Sequence, residues 1–296
     1  MTTDRPSRTA EYMALFRAVE TAEPAHRRLF DDPYAAAFLR GRLKMLAAFA
    51  RLPAIGRMAR YFLDAGWPRT RSSAVVRTRL IDDLVRQAVR GGARQGLWLG
   101  AGFDSRPYRL EELRGVALFE VDHPSTQGAK RQRLEAHGSL LPTNVRFVPV
   151  DFEKDDLESA LLAAGFDPAA ATFAVWEGVV SYLTPSAVDQ GFRTVARLLA
   201  EGSRLIFSYV HQGALDGSVS FPEARRWKAS VRSTGEPFLF GFDPGALAEY
   251  LRPRGFALES DVSTADAARS YRELLGRNEP GSELYRIAAA RRAALY

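Results

Sequence analysis

The 296-residue sequence contains no cysteine. That absence excludes disulfides, thiolate zinc sites, iron–sulfur clusters and a cysteine nucleophile. Histidine is nearly as scarce. His26, His123, His137 and His211 are scattered, with no pair at H-x-x-x-H spacing, so no metal site is expected. No apolar run approaches the ~20 residues of a membrane span. The most apolar early stretch, Met45 to Ile55, is short and broken by Arg51. The first residues, MTTDRPSRTAEY, lack the apolar core of a secretory signal. The expectation is a cytoplasmic protein with no membrane partner.

Lysine is also rare: 37 of the 41 basic side chains are arginine, and the net charge is +6. Residues 1–80 hold 15 bases and 7 acids, whereas the remainder holds 26 and 28, so the excess lies in the N-terminal quarter. No basic run is interleaved with aromatics, and no nucleic-acid partner is expected. At 46% hydrophobic and 26% charged, the chain has the composition of an ordinary folded protein. Its length suits one large α/β domain with an appendage.

Residues 8–75 read as short basic amphipathic helices, with starts at Asp32-Pro33 and at Pro53. Beyond residue 77 the rhythm changes. Short apolar runs, Gly96–Gly102, Ala117–Asp122, Val145–Asp151, Thr172–Glu177 and Ser203–Val210, alternate with helical stretches at 107–114, 125–138, 155–164 and 185–200. Pro185 and Pro244 mark helix starts, and 243–251 reads as a further helix. Strand and helix at this pace predict a mostly parallel sheet with helices on both faces. Residues 211–242, rich in Gly, Ser and aromatics, are too long for a simple connection. Phe256–Val262 and Leu284–Ala290 read as final strands.

The segment Leu99-Gly100-Ala101-Gly102-Phe103-Asp104 runs a buried strand into glycines that let a ligand approach the backbone. It fails the dinucleotide pattern G-x-G-x-x-G, because Ser105 stands at the third glycine. Asp104 would also place negative charge where a pyrophosphate should sit. The next three strands end in acids: Asp122, Asp151 and Glu177. Ligands bind at that edge of an open α/β sheet. A small molecule suited to carboxylates, a glycine turn and no phosphate cradle is S-adenosylmethionine, whose own carboxylate suits an arginine fork such as Arg77 at the start of the preceding helix.

These motifs in order, from Val76-Arg77-Thr78-Arg79-x-x-Asp82-Asp83 through Leu99–Arg106, Phe119-Glu120-Val121-Asp122-His123-Pro124 with Lys130, Asp151-Phe152, Trp176-Glu177-Gly178, Tyr182-Leu183-Thr184 and Gly235-Glu236-Pro237-Phe238, resemble the leucine carboxyl methyltransferase family of class I S-adenosylmethionine-dependent methyltransferases. The likeness is to its bacterial small-molecule branch and covers most of the chain. It implies a Rossmann-like, seven-stranded, mostly parallel sheet in residues 77–296, a helical cap in residues 1–76, and a lid-like insertion at 211–242. It also implies cofactor-binding roles. Arg77 would hold the methionyl carboxylate. Gly100, with Ala101 and Gly102, would lie under the methionyl part, and Asp122 would bind the ribose hydroxyls. Asp151 and Phe152 would flank the adenine, and Glu177 would face the methionyl amino group. Arg17, Tyr182 and His211 are the candidate catalytic residues: a base from the N-terminal helix, a polar tip at the transfer site and a general base. Phe221, Trp227, Phe238 and Phe240 would line an acceptor pocket.

The implied reaction is O-methylation of a carboxylate or acidic hydroxyl on a small, polyketide-like metabolite, with S-adenosylhomocysteine as product. A protein C-terminal carboxylate as acceptor, a non-catalytic cofactor-binding protein and a nicotinamide dehydrogenase remain alternatives. Oligomeric state is left open. A serine hydrolase is disfavoured, because Gly178–Tyr182 misses the G-x-S-x-G spacing.

Overall fold

Apolar runs too long for a half-exposed strand demand burial on both faces, and the strands obey that demand. In the computed structural model, which describes residues 8–66, 69–138, 141–152, 154–224 and 237–294, every residue of β1 (Gln95–Leu99) and β4 (Thr172–Trp176) is buried. With β2 (Ala117–Asp122), β3 (Val145–Pro149), β5 (Arg204–Val210), β6 (Phe256–Ser263) and β7 (Tyr285–Arg292) they form one sheet in the order β3-β2-β1-β4-β5-β7-β6. The first five strands pair in parallel, and β7 runs antiparallel to both of its neighbours.

Alternate residues sort onto two faces. On one, Leu97, Leu99, Phe119, Ala174 and Phe207 pack against Val188, Phe192 and Val195 of α7 (Pro185–Leu198). On the other, Trp98, Leu118, Phe173 and Ile206 pack against Ile81 and Val85 of α4 (Thr70–Arg90). A separate cluster builds the cap. Leu15, Phe16 and Val19 of α1 (Arg8–Thr21) meet Phe38, then Ala47 of α2 (Gly41–Phe49), Leu63 of α3 (Pro53–Gly66) and Phe103 beyond the glycine turn. The described helices include none long and apolar enough to cross a membrane.

The sequence reading needs correction in five places. Asp32-Pro33 opens only a single 3-10 turn, Ala35–Phe38: the Asp32 side chain caps its start, accepting from the Tyr34 and Ala35 amides, and the extended Leu39 ends it. Pro53 does open α3. The stretch 107–114 splits into the one-turn helix α5 (Arg106–Arg109) and a 3-10 turn at Glu111–Leu113. Arg77 lies two turns into α4, a helix that cap and sheet share, rather than at its start. Pro244 sits in a turn, ahead of the helix Leu247–Leu251. Two short helices between β6 and β7, Thr264–Ser270 and Arg272–Leu275, were not anticipated.

Candidate functional site

The strand order places the glycine turn after β1 between the ends of β2 and β4, with β3 beyond β2. The turn is shaped by its glycines. Gly100 has φ +68°, and a Cβ there would lie 2.6 Å from Val179 Cγ2. A larger residue would have to adopt this left-handed φ and push the Val179 side chain aside. Gly102 has φ +44° and faces Ala10 of α1 at 3.8 Å from an ideal Cβ, so α1 roofs the turn. Ala101, buried, donates its amide to Val121 O at 3.0 Å.

Asp122 is fixed at the end of β2 by two amides, Gly102 N–H on Oδ2 and His123 N–H on Oδ1, the latter at 2.7 Å. Burial pushes its carboxyl above the ordinary aspartate value, although both amides pull the other way. The neighbouring Glu120 points to the opposite face and forms a buried pair with Lys130 at 2.8 Å, with Tyr108 OH donating to it. That pair seats α6 (Pro124–Ala136) on the sheet.

Glu177 follows β4 and lies between two arginines. Arg77 Nε is 2.6 Å from Oε1 and Arg106 Nη1 is 2.7 Å from Oε2. Burial would raise this carboxyl, but Arg106 and then Arg77 outweigh it and hold Glu177 at about 2. Arg106 is itself buried. It bridges Glu177, Asp104 at 2.5 Å, Asp82 at 2.7 Å and Thr78 O at 3.2 Å. Arg109 clamps Asp82 with two bonds of 2.7 Å. The negative charge assigned to Asp104 from sequence is therefore compensated by Arg106, and its Oδ2 also accepts from Trp98 Nε1 at 3.1 Å. Arg106, Asp82 and Arg109 carry this arrangement and had no role in the sequence reading. Their signal was present, since Asp82 and Arg106 stand inside the quoted motifs, but nothing in the spacing pairs them.

The other candidates are placed as follows. Arg17 is buried, with Nε on Asp32 at 2.8 Å and Nη2 on the Phe103 carbonyl at 2.6 Å. Ser105 Oγ also reaches Asp32, at 2.6 Å, so Arg17 clips the cap to the glycine turn. Asp151 takes Lys154 Nζ at 2.7 Å and lies 4.0 Å from His123 Nε2. Phe152 is 52% exposed. Tyr182 packs on Phe238 at 4.7 Å between ring centroids, and Ser181 O receives the Leu239 amide at 2.7 Å, so segment 237–240 is tied over the β4 end. His211 caps the short helix Gln212–Asp216, its Nδ1 accepting from Gly213 N–H at 3.0 Å. Burial and Arg286 lower its pKa, and the neutral ring then carries its proton on Nε2, which suits a donor rather than a base. Phe221 packs on His211, and Phe240 packs on Phe242 at the edge of the main core. Trp227, Gly235 and Glu236 lie outside the described residues.

This geometry can be set beside known proteins. A family model for leucine carboxyl methyltransferase matches residues 10–196. The chain belongs to the leucine carboxyl methyltransferase family. A protein of Mycolicibacterium gilvum named as an S-adenosyl-L-methionine-dependent methyltransferase is 32% identical, over 96% of this chain and 94% of its own length. A similarly named protein of Saccharopolyspora erythraea is 34% identical over 88% of each. Among solved structures, a methyltransferase from Thermobifida fusca superposes with a TM-score of 0.61 at 18% identity, covering 99% of this chain and 97% of that one. This family member is an S-adenosylmethionine-dependent methyltransferase on a Rossmann-like, mostly parallel seven-stranded sheet.

Proposed function

We propose that this methyltransferase transfers the methyl group to an oxygen of a small acidic acceptor, a carboxylate or a readily ionised hydroxyl, with Asp122, Arg77 and Glu177 holding the donor. The observation that carries the cofactor assignment is the Arg77–Glu177 pair beside a glycine turn one strand away from a half-buried, amide-anchored Asp122. The fit is chemical. A zwitterionic amino-acid end needs one cation and one anion side by side, and the pair supplies both. A ribose diol needs an oriented carboxylate, and Asp122 is oriented by two amides. Asp151 and Phe152 stand one strand further out, where an adenine would be flanked.

When bound, S-adenosylmethionine supplies a methyl on a cationic sulfur, open to in-line displacement by an oxygen nucleophile. The protein's part is positioning and exclusion of water. Arg106 keeps Glu177 ionised and aimed. Arg17, Ser105 and Asp32 hold α1 down over the turn. Tyr182 and Phe238 wall the β4 side, where the acceptor is placed. A carboxylate is already ionised at neutral pH, so no base is required, in keeping with a His211 ring whose Nδ1 is occupied by Gly213.

The test is transfer of labelled methyl to a panel of small carboxylic acids, phenols and peptides with free C-termini. A carboxyl methyl ester releases methanol in mild alkali, whereas an aryl methyl ether does not. Label that is retained after alkali would rule out the carboxylate. Transfer to peptides but to no small acid would rule out the small-molecule acceptor.

A further inference from the structure

Between Asp32 and Asp64 the chain has no acid and six bases, Arg40, Arg42, Lys44, Arg51, Arg57 and Arg60. Their sum equals the formal net charge of the whole protein, +6, so everything outside this stretch balances to zero. Arg60 is paired with Glu23. The other five are exposed, with no acid partner among the described residues.

The same stretch forms the hairpin of α2 and α3. Its inner side, Leu43, Leu46, Ala47, Ala50 and Leu63, packs into the cap cluster. Its outer side is apolar as well. Met45, Phe49, Leu52, Met58, Tyr61 and Phe62 are 47–71% exposed, and they are six of the eleven large exposed apolar side chains among the described residues. That is a cluster, not the single scattered residues normal on a surface. Met45 and Phe49 are four apart, and Met58, Tyr61 and Phe62 fall at i, i+3 and i+4, so each helix presents one apolar stripe. A Cβ at Gly56 would overlap the Ala50 carbonyl, so the two helices meet closely at their turn and the stripes belong to one hairpin.

What covers this face must satisfy three conditions. It must be anionic, because five unpaired cations surround the apolar side chains. A second copy of the chain would bring the same +6 against it. It must accept apolar and basic groups along one line, since Arg42 and Lys44 precede Met45 and Phe49, Arg51 adjoins Leu52, and Arg57 adjoins Met58. A typical protein interface separates an apolar centre from a polar rim. It must also lie away from the donor, because α1 stands between the hairpin and the glycine turn. Anionic headgroups over acyl chains meet all three.

We propose that the α2–α3 hairpin docks peripherally on an anionic lipid surface. The basic side chains contact headgroups, and Phe49, Met58, Tyr61 and Phe62 enter the interface beneath. This is surface attachment by a folded hairpin, not a span, and it does not depend on the identity of the methyl acceptor.

The experiment is flotation of the full-length protein with vesicles of phosphatidylcholine alone or mixed with phosphatidylglycerol, at low and high salt. The protein should float with the anionic vesicles only, and recovery should fall several-fold in high salt, which screens exposed charges. Met58→Ser with Phe62→Ser, and separately Arg51→Glu with Arg57→Glu, should each reduce recovery several-fold while leaving the melting temperature unchanged, since all four side chains are exposed. Absence of flotation, or equal flotation of wild type and both variants, overturns the proposal. So does light scattering that shows a wild-type dimer and a monomeric Met58→Ser/Phe62→Ser variant, which would make the face a self-interface. Binding of a purified acidic protein to this face without vesicle flotation overturns it equally.

Discussion

Asp122 and Glu177 are both half-buried acids at the ends of strands, yet their surroundings move them in opposite directions. Glu177 has two arginines and stays ionised far into acid. Asp122 has two amide donors and the weaker pull of Lys130 and His123 against its burial, and lies above the ordinary aspartate value. In the proposed site the donor is held by the ionised form of both, so loss of affinity on acidification should trace to Asp122, which protonates first. Asp122→Ala removes charge-assisted hydrogen bonds worth roughly 1.5–3 kcal/mol, a fall of about 10- to 100-fold in affinity for S-adenosylhomocysteine. Asp122→Asn should weaken binding as well and flatten its loss on acidification, whereas Glu177→Gln should weaken binding but keep the acid limb. Calorimetry over a series of falling pH decides it. An unchanged acid limb in Asp122→Asn would assign the titration elsewhere. At this scale the residues of the candidate site were legible in the sequence, because strand-end acids and a glycine turn are local features. The partner of Asp104 was not: Arg106 stands two residues on, and only the fold turns that side chain back onto it.

Among the elements, what the sequence concealed is how the cap is held. The end of α1, helices α3 and α4, and the segment before β7 meet in a buried ionic network. Arg71 binds Asp64 at 2.8 Å and Glu279 at 3.0 Å, while Arg277 reaches Glu20, Glu23 and Glu279, and Arg60 reaches Glu23. Arg71 and Glu279 are 208 residues apart. No periodicity, cap or turn rule can pair side chains at that separation, whereas β1 to β5 could be read from short apolar runs alone. Glu279 lies above its ordinary value through burial and is kept charged by Arg71 and Arg277. Arg71→Ala leaves it a buried acid with one cation fewer. Breaking a buried pair from one side costs about 3–5 kcal/mol, so urea unfolding should show a loss of that order. Arg71→Ala/Glu279→Ala should lose less than the sum of the two single variants. A loss below ~1 kcal/mol, the worth of a surface pair, would mean that water replaces the guanidinium.

For the whole molecule, the proposed donor site joins parts that the chain otherwise keeps separate. Arg77 comes from α4, which the cap and sheet share, the glycine turn from β1, Asp122 from β2 and Glu177 from β4. A ligand touching all of them binds only the folded protein, so it must raise its stability. At about 100 times its dissociation constant the gain is roughly 2.7 kcal/mol, which moves the melting temperature upward by ~5–10 °C, at about 2–4 °C per kcal/mol for a domain of 150–250 residues. S-adenosylhomocysteine should give such a shift. NAD and ATP should not, and the structure supplies a better reason than the charge on Asp104, which Arg106 compensates. A pyrophosphate needs free amides at the start of a helix with an appreciable dipole. Here the helix after the glycine turn, α5, is four residues long, and its first amide, Arg106 N–H, is already bonded to Asp104 at 2.8 Å. A thermal melt with each of the three ligands, repeated on Asp122→Ala, separates the possibilities. The S-adenosylhomocysteine shift should be reduced in the variant at equal ligand concentration. A NAD shift equal to that of S-adenosylhomocysteine, with both indifferent to Asp122, would place the ligand away from this edge of the sheet and leave the strand-end acids as caps.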